Sequence, residues 1–163
     1  MKTTLERAKE KIHERTVNNL QDLLERTYDA EAGYKKAMEL AKDPNYEEFF
    51  MKRAANRAVF ATELDQEIRN LNETPIESGS TKAALHRGWM DTRAWLSTST
   101  DEAILEECIR GEKASLDTYN EILVDESFNP ELRNVLMNQM LQIRRSLDTV
   151  KDLKATEEVV NSF

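Results

Sequence analysis

Two stretches of this chain match each other at one fixed offset, and each ends on a glutamate. Residues 24–31 and residues 105–112 both begin with Leu-Glu and both end in Glu, so Glu31 corresponds to Glu112, 81 positions further along. In both stretches apolar residues recur at steps of three and four, which is the spacing of one face of an α-helix. The repeat therefore predicts two related helices, each of which turns a glutamate towards the protein core.

A helix start follows each of these two segments. Asp43-Pro44 and Asn129-Pro130 place an N-capping side chain directly before a proline, whose fixed φ suits the first helical position. A second helix must therefore begin at each point and fold back on the first. Only four glycines and three prolines occur in 163 residues, as is typical of a nearly all-helical chain. We expect an all-α, four-helix bundle made of two helical hairpins.

The apolar pattern also predicts how the chain is divided. Residues 16–154 carry the stripes of the bundle helices, whereas residues 1–15 contain three apolar markers and are expected to form a loosely docked N-terminal segment. Residues 155–163 are expected to fray as a C-terminal tail. The long interval between the hairpins can carry the chain from one end of the bundle to the other, with a crossover helix at about 81–96. Such a crossover permits the arrangement found in ferritin-like bundles.

Composition and charge limit the classes of function. The net charge is −8 and no basic face is evident, which argues against nucleic acid as a partner. No apolar run approaches the roughly 18 residues of a membrane span, and residues 1–15 are charged throughout. We therefore expect a cytoplasmic protein with no membrane partner. The single cysteine, Cys108, lies on an apolar helix face, where a small core residue is the ordinary interpretation.

One interpretation of the two glutamates is a dinuclear metal centre. In carboxylate-bridged iron or manganese bundles, two helices each supply one glutamate and the other two each supply a Glu-x-x-His pair. Glu31 and Glu112 match the single glutamates, but the facing stretches contain no histidine. Both histidines, His13 and His86, lie outside the predicted bundle helices. The sequence predicts no catalytic residue and no cofactor; the alternative is an iron or manganese site on Glu31 and Glu112.

A buried polar cluster explains the same glutamates without a metal. Buried carboxylates cost several kcal/mol each unless they are paired. Arginines and amides on or beside the inward stripes of the second and fourth helices can supply these partners. The predicted cluster comprises Glu31, Glu112, Asn56, Arg57, Arg53, Gln142 and Arg145. Gly33 and Gly111, in the middle of the first and third helices, are interpreted as points where a neighbour approaches closely.

The stretch between the hairpins carries a family resemblance. Its most specific motif is His86, Arg87, Gly88 and Trp89, which precedes the glutamate-bearing segment 105–112. Together with Asp29-Ala30-Glu31-Ala32-Gly33-Tyr34, this motif resembles an uncharacterised bacterial family of ferritin-like four-helix-bundle proteins, over roughly residues 16–153. The resemblance implies a ferritin-like fold and no assigned activity. Members often carry glutamine at the position of Asn56 and histidine near Leu147, and this chain departs from that pattern.

These observations predict a non-catalytic protein whose role is structural, stress-related or partner-binding. The alternative is a degenerate iron- or manganese-binding protein or oxidoreductase related to di-iron proteins. A third hypothesis is a homo-oligomer, in which the crossover helix or residues 1–15 form the contact between protein chains.

Overall fold

The computed structural model describes residues 1–78 and 95–163. Its four long helices are α1 (Thr4–Leu40), α2 (Pro44–Asn70), α3 (Asp101–Leu123) and α4 (Pro130–Asn161). Residues 95–98 form one further helical turn ahead of α3. The described residues contain no β-strand, which confirms the prediction of an all-α chain. Across these same ranges, no helix combines the length and the apolar character needed to cross a membrane.

Each bundle helix begins where the sequence provides a cap. Asp43 accepts a hydrogen bond from the backbone N–H of Asn45 at 2.8 Å, and Asn129 accepts one from the N–H of Leu132 at 2.8 Å. Thr100 caps α3 in the same way. In α2 and α4 the cap is followed by proline, as the two Asx-Pro pairs predict.

Two helices are longer than the predicted boundaries. The expected bundle helix began at residue 16, but a capping box formed by Thr3 and Glu6 starts one continuous helix at Thr4. Residues 1–12 are exposed, so this first part of α1 extends beyond the packed core. At the other terminus, α4 continues through Asn161, beyond the expected tail boundary at 155. Local helix-forming sequence, rather than burial, accounts for both extensions.

Contacts at the two ends of the molecule define the helix directions. At one end, the carboxylate of Asp101 accepts hydrogen bonds from the N–H groups of Lys42 and Asp43, in the turn between α1 and α2. At the other end, Nε of Arg15 in α1 lies 2.8 Å from Oδ2 of Asp125, just after α3. α2 and α3 therefore run in the same direction. Each belongs to an antiparallel hairpin, α1–α2 or α3–α4.

Two apolar clusters fill the core at successive levels of the bundle. One contains Leu24, Phe60 and Leu136, and the other contains Phe50, Leu105 and Val150. Polar residues lie where the two clusters meet, because Arg57 falls between Phe50 and Phe60 along α2. This polar level is the candidate functional site.

Candidate functional site

The polar level is centred on Glu112 of α3. Nη2 of Arg57, in α2, donates hydrogen bonds to both carboxylate oxygens, at 2.7 Å and 2.8 Å. The hydroxyl of Tyr34, in α1, also donates to Oε1 of Glu112. The side chains of Arg57 and Glu112 are only 4% and 2% exposed. The guanidinium and the hydroxyl supply the opposite charge and the hydrogen bonds that a buried carboxylate requires.

Two amides extend this level to the fourth helix. Nη1 of Arg57 donates to Oδ1 of Asn56 at 3.2 Å, and Nδ2 of Asn56 donates to Oε1 of Gln142 in α4 at 2.7 Å. The hydrogen-bonded chain thus runs from Tyr34 through Glu112, Arg57 and Asn56 to Gln142. Every bundle helix contributes to it, so the network favours one relative register of the four helices.

A second network lies nearer the C-terminal end of α3 and the N-terminal end of α4. The hydroxyl of Tyr119 donates to Oε1 of Gln139 at 2.6 Å, and Nε2 of Gln139 donates to Oε2 of Glu63 at 2.7 Å. Gln139 is completely buried. The predicted polar cluster did not contain these three residues. The sequence feature that could have identified this network is the position of Tyr119 and Gln139, two polar side chains, on the apolar stripes of their helices.

Glu31 does not join Glu112. Its carboxylate lies 2.6 Å from Nζ of Lys35 in the same helix, and its side chain is 18% exposed. Tyr34 is the α1 residue that reaches Glu112 instead. The physical reason is helical phase, because the buried positions of α1 in this region are Thr27, Tyr34 and Ala37, and residue 31 lies at their edge. The expected pairing of two inward glutamates is therefore not found.

The two remaining predicted arginines occupy different surroundings. Arg145 is exposed on α4 and takes no part in the network. Arg53 is half-buried, with its guanidinium 5.8 Å from the centre of the Phe49 ring. Burial, and then the positive charge of Arg57, lower the pKa of Arg53. Nε of Arg53 has no hydrogen-bond partner among the described residues.

Burial also keeps the neighbouring acidic groups protonated. It raises the pKa of the Tyr34 hydroxyl, and the negative charge of Glu112 adds to this shift. Burial, with the charges of Glu112 and Glu107, likewise raises the pKa of the Cys108 thiol. Tyr34 therefore remains a hydrogen-bond donor, and Cys108 is not a thiolate at neutral pH.

These residues do not fit a dinuclear metal centre. The carboxylates of Glu112 and Glu31 are each paired with a cation, and no group of three His, Cys, Asp or Glu side chains within residues 1–78 and 95–163 could hold a metal ion. His13 lies elsewhere, with Nε2 2.9 Å from Oε1 of Glu73 on the surface. The motif His86, Arg87, Gly88 and Trp89 lies outside the described residues.

A groove of about 750 Å³ lies beside the polar level, along α1 and α3. Gly33 and Gly111 line it, and a Cβ atom added at either glycine would meet no described atom within 4 Å. Among the described residues, therefore, none is the close neighbour that these glycines were interpreted to mark. Trp95, 40% exposed, stands among the lining residues.

Comparison with protein-family models finds one family that matches most of the chain. Residues 15–125 match a family described as Domain of unknown function (DUF2383). The chain belongs to this family. The matched region contains Tyr34, Arg57 and Glu112, whereas α4 with Gln142 lies beyond it. Among curated proteins, none matches the chain.

Proposed function

We propose that this DUF2383 protein is a non-catalytic, ferritin-like bundle, in which an arginine occupies the position where di-iron four-helix bundles hold metal. The observation that carries the proposal is the buried contact between Arg57 and Glu112. A guanidinium neutralises the carboxylate in the centre of the bundle, so no cation is needed there. The helix order supports the ferritin-like assignment, because two antiparallel hairpins place α2 and α3 in the same direction.

The protonation states support a role without catalysis. General acid–base catalysis works best with a group whose pKa lies near the working pH, and nucleophilic cysteines need a lowered pKa. Here the carboxylate of Glu112 is held by Arg57, while burial raises the pKa of both Tyr34 and Cys108. The described part of the site thus contains hydrogen-bonded structural groups. We propose a structural, stress-related or partner-binding role in the bacterial cytoplasm, without a cofactor.

A metal-linkage experiment tests this proposal. The full chain, purified without a polyhistidine tag, is melted with and without Mn²⁺, with Fe²⁺ under anaerobic conditions, and with a chelator. We expect no stoichiometric metal and the same melting temperature in every condition, because a metal stabilises a protein only where it binds the folded state. Glu112→Gln and Glu31→Gln serve as the matched variants. A metal-dependent rise in the wild type that both variants lose would favour the alternative, an iron or manganese site on these two glutamates.

A further inference from the structure

Two polar side chains lie one helical turn from the hydrogen bond between Asn56 and Gln142. Arg53 precedes Asn56 by three residues in α2, and Ser146 follows Gln142 by four residues in α4. A spacing of three or four keeps each residue on the helix face that carries the bonded amide. Because α2 and α4 are antiparallel, both residues lie on the same side of that hydrogen bond, about 4.5 Å and 6 Å from it along the helices.

Each of these side chains has a buried polar atom without a partner. Nε of Arg53 and Oγ of Ser146 are buried and form no hydrogen bond with the described residues. Ser146 is only 1% exposed. Thr149 and Thr156, in the same helix, each donate to the backbone carbonyl four residues earlier, at 3.0 Å and 2.9 Å, but Ser146 does not. Buried polar groups nearly always have a partner, so this pair of atoms calls for a ligand that both can bond.

The charge at this level favours an anion as that ligand. Arg57 and Glu112 neutralise each other, since Nη2 of Arg57 holds both carboxylate oxygens. Among the described residues no carboxylate forms an ion pair with Arg53, and burial together with the positive charge of Arg57 lowers its pKa. The three side chains thus carry one uncompensated positive charge, which a single anion would neutralise.

The two atoms lie between helices that the structure describes over their full lengths. Ile76 and Trp95, close to the limits of the described ranges, lie elsewhere in the molecule. The backbone N–H of Ile76 donates to Gln21 of α1 at 2.9 Å, and Trp95 lines the groove along α1 and α3. Neither Arg53 nor Ser146 lines that groove. The candidate site is therefore built by α2 and α4.

We propose that Arg53 and Ser146 form a binding site for one small monovalent anion, such as chloride or formate. The Nε–H of Arg53 and the hydroxyl of Ser146 are hydrogen-bond donors, as an anion requires. A water molecule could accept both bonds, but it would leave the charge of Arg53 uncompensated. The half-buried position of Arg53 leaves part of its side chain in contact with solvent, from which the ion can enter. The bound anion would join α2 to α4.

³⁵Cl NMR measures chloride binding to the full-length protein, because exchange with a protein site broadens the chloride resonance. We expect excess broadening that saturates at one site per chain. Formate and nitrate, added at constant ionic strength, identify the class of anion. Displacement by both shows a site open to small carboxylates, and displacement by nitrate alone shows a site for inorganic anions; either result supports the site. Absence of excess broadening overturns it, and stronger displacement by sulfate than by nitrate overturns the preference for a single charge.

Variants assign the broadening to these two side chains. Arg53→Met should abolish it, and Ser146→Ala should weaken chloride binding about tenfold, because a hydrogen bond to the anion is lost. Arg144→Met removes an exposed arginine of α4 and is the matched control, which should bind as the wild type does. Circular-dichroism melting verifies that each variant is folded. Wild-type broadening in Arg53→Met, or an equal loss in Arg144→Met, overturns the site.

Wild-type crystals soaked in bromide test the site without any variant. We expect an anomalous peak within hydrogen-bonding distance of Nε of Arg53 and Oγ of Ser146. Density without anomalous signal at this point, as a water molecule gives, overturns the anion. That outcome would leave the metal-free role proposed above unaffected, because the role rests on Arg57 and Glu112.

Discussion

Arg57 and Glu112 join the two halves of the molecule. Arg57 belongs to α2 in the first hairpin and Glu112 to α3 in the second, and Nη2 of Arg57 lies 2.7 Å and 2.8 Å from the two carboxylate oxygens. Both side chains are buried. Each charge therefore depends on the other for its compensation, and removing one of them leaves the other unpaired in the core.

Glu112→Gln should lower the free energy of unfolding by about 3 kcal/mol, because the guanidinium of Arg57 then lies buried without an anionic partner. Urea denaturation measures the loss. Glu31→Gln is the matched control, because Glu31 makes a surface pair with Lys35, and it should cost less than about 1 kcal/mol. Equal losses for the two variants would contradict the assignment of Glu112 as the buried member.

The double variant Arg57→Met with Glu112→Leu should recover most of the stability that Glu112→Gln loses. Apolar side chains of similar volume remove both buried charges together, and such replacements are often neutral or stabilising. Thermal and urea unfolding of the double variant test this outcome. A loss larger than that of Glu112→Gln would mean that Tyr34, Asn56 and Gln142 depend on the ion pair for their own hydrogen bonds.

Gly33→Ala and Gly111→Ala should each raise the free energy of unfolding by about 1 kcal/mol. The added methyl group meets no described atom within 4 Å, and alanine is the better helix former by about this amount. Ala55→Gly, on the exposed side of α2, is the reverse control and should cost a similar amount. Destabilisation by Gly111→Ala would show that something packs against α3 at this point.

Asp101→Ala should destabilise the protein by about 1–2 kcal/mol. The carboxylate accepts hydrogen bonds from the backbone N–H groups of Lys42, at 3.2 and 3.3 Å, and of Asp43, at 2.9 Å, and so joins the turn of the first hairpin to the start of α3. Glu102→Ala removes an exposed carboxylate from the same helical turn and controls for the helix dipole. Similar losses in both variants would exclude a special role for Asp101.

Deletion of residues 1–12 should leave the unfolding midpoint almost unchanged. These residues are exposed, so removing them loses little buried apolar area. Differential scanning calorimetry and sedimentation equilibrium compare the two chains. A change from oligomer to monomer on deletion would show that the exposed Leu5 and Ile12 belong to an interface between protein chains.

Stability should fall at alkaline pH. Burial raises the pKa of Tyr34, Tyr119 and Cys108 in the folded protein. In the unfolded chain these groups ionise at their ordinary pKa, near 8.5 for cysteine and 10 for tyrosine, so the folded state binds more protons above those values. The stability they contribute is present below the unfolded pKa values and declines as pH rises beyond about 9. Urea unfolding at successive pH values tests this, with Cys108→Ala removing the first part of the decline.

The sequence by itself determined the helices and the hairpins. Asp43-Pro44 and Asn129-Pro130 are local signals, and a cap or a proline acts within a few residues of its own position. Apolar spacing is equally local, which is why the inward positions of Phe60, Leu105 and Leu136 follow from periodicity. The presence of arginine and amide groups near the centre of the bundle could be predicted for the same reason.

Only the tertiary structure decided which of these groups meet. The repeat places Glu31 and Glu112 at equivalent points of the sequence, but in the folded α1 Glu31 lies at the edge of the buried face, and Tyr34 is the residue that contacts Glu112. Arg57 then reaches Glu112 across two hairpins that are distant in sequence. The groove beside them depends on the separation of α1 from α3, because side-chain partners and open space are set by how helices pack against one another.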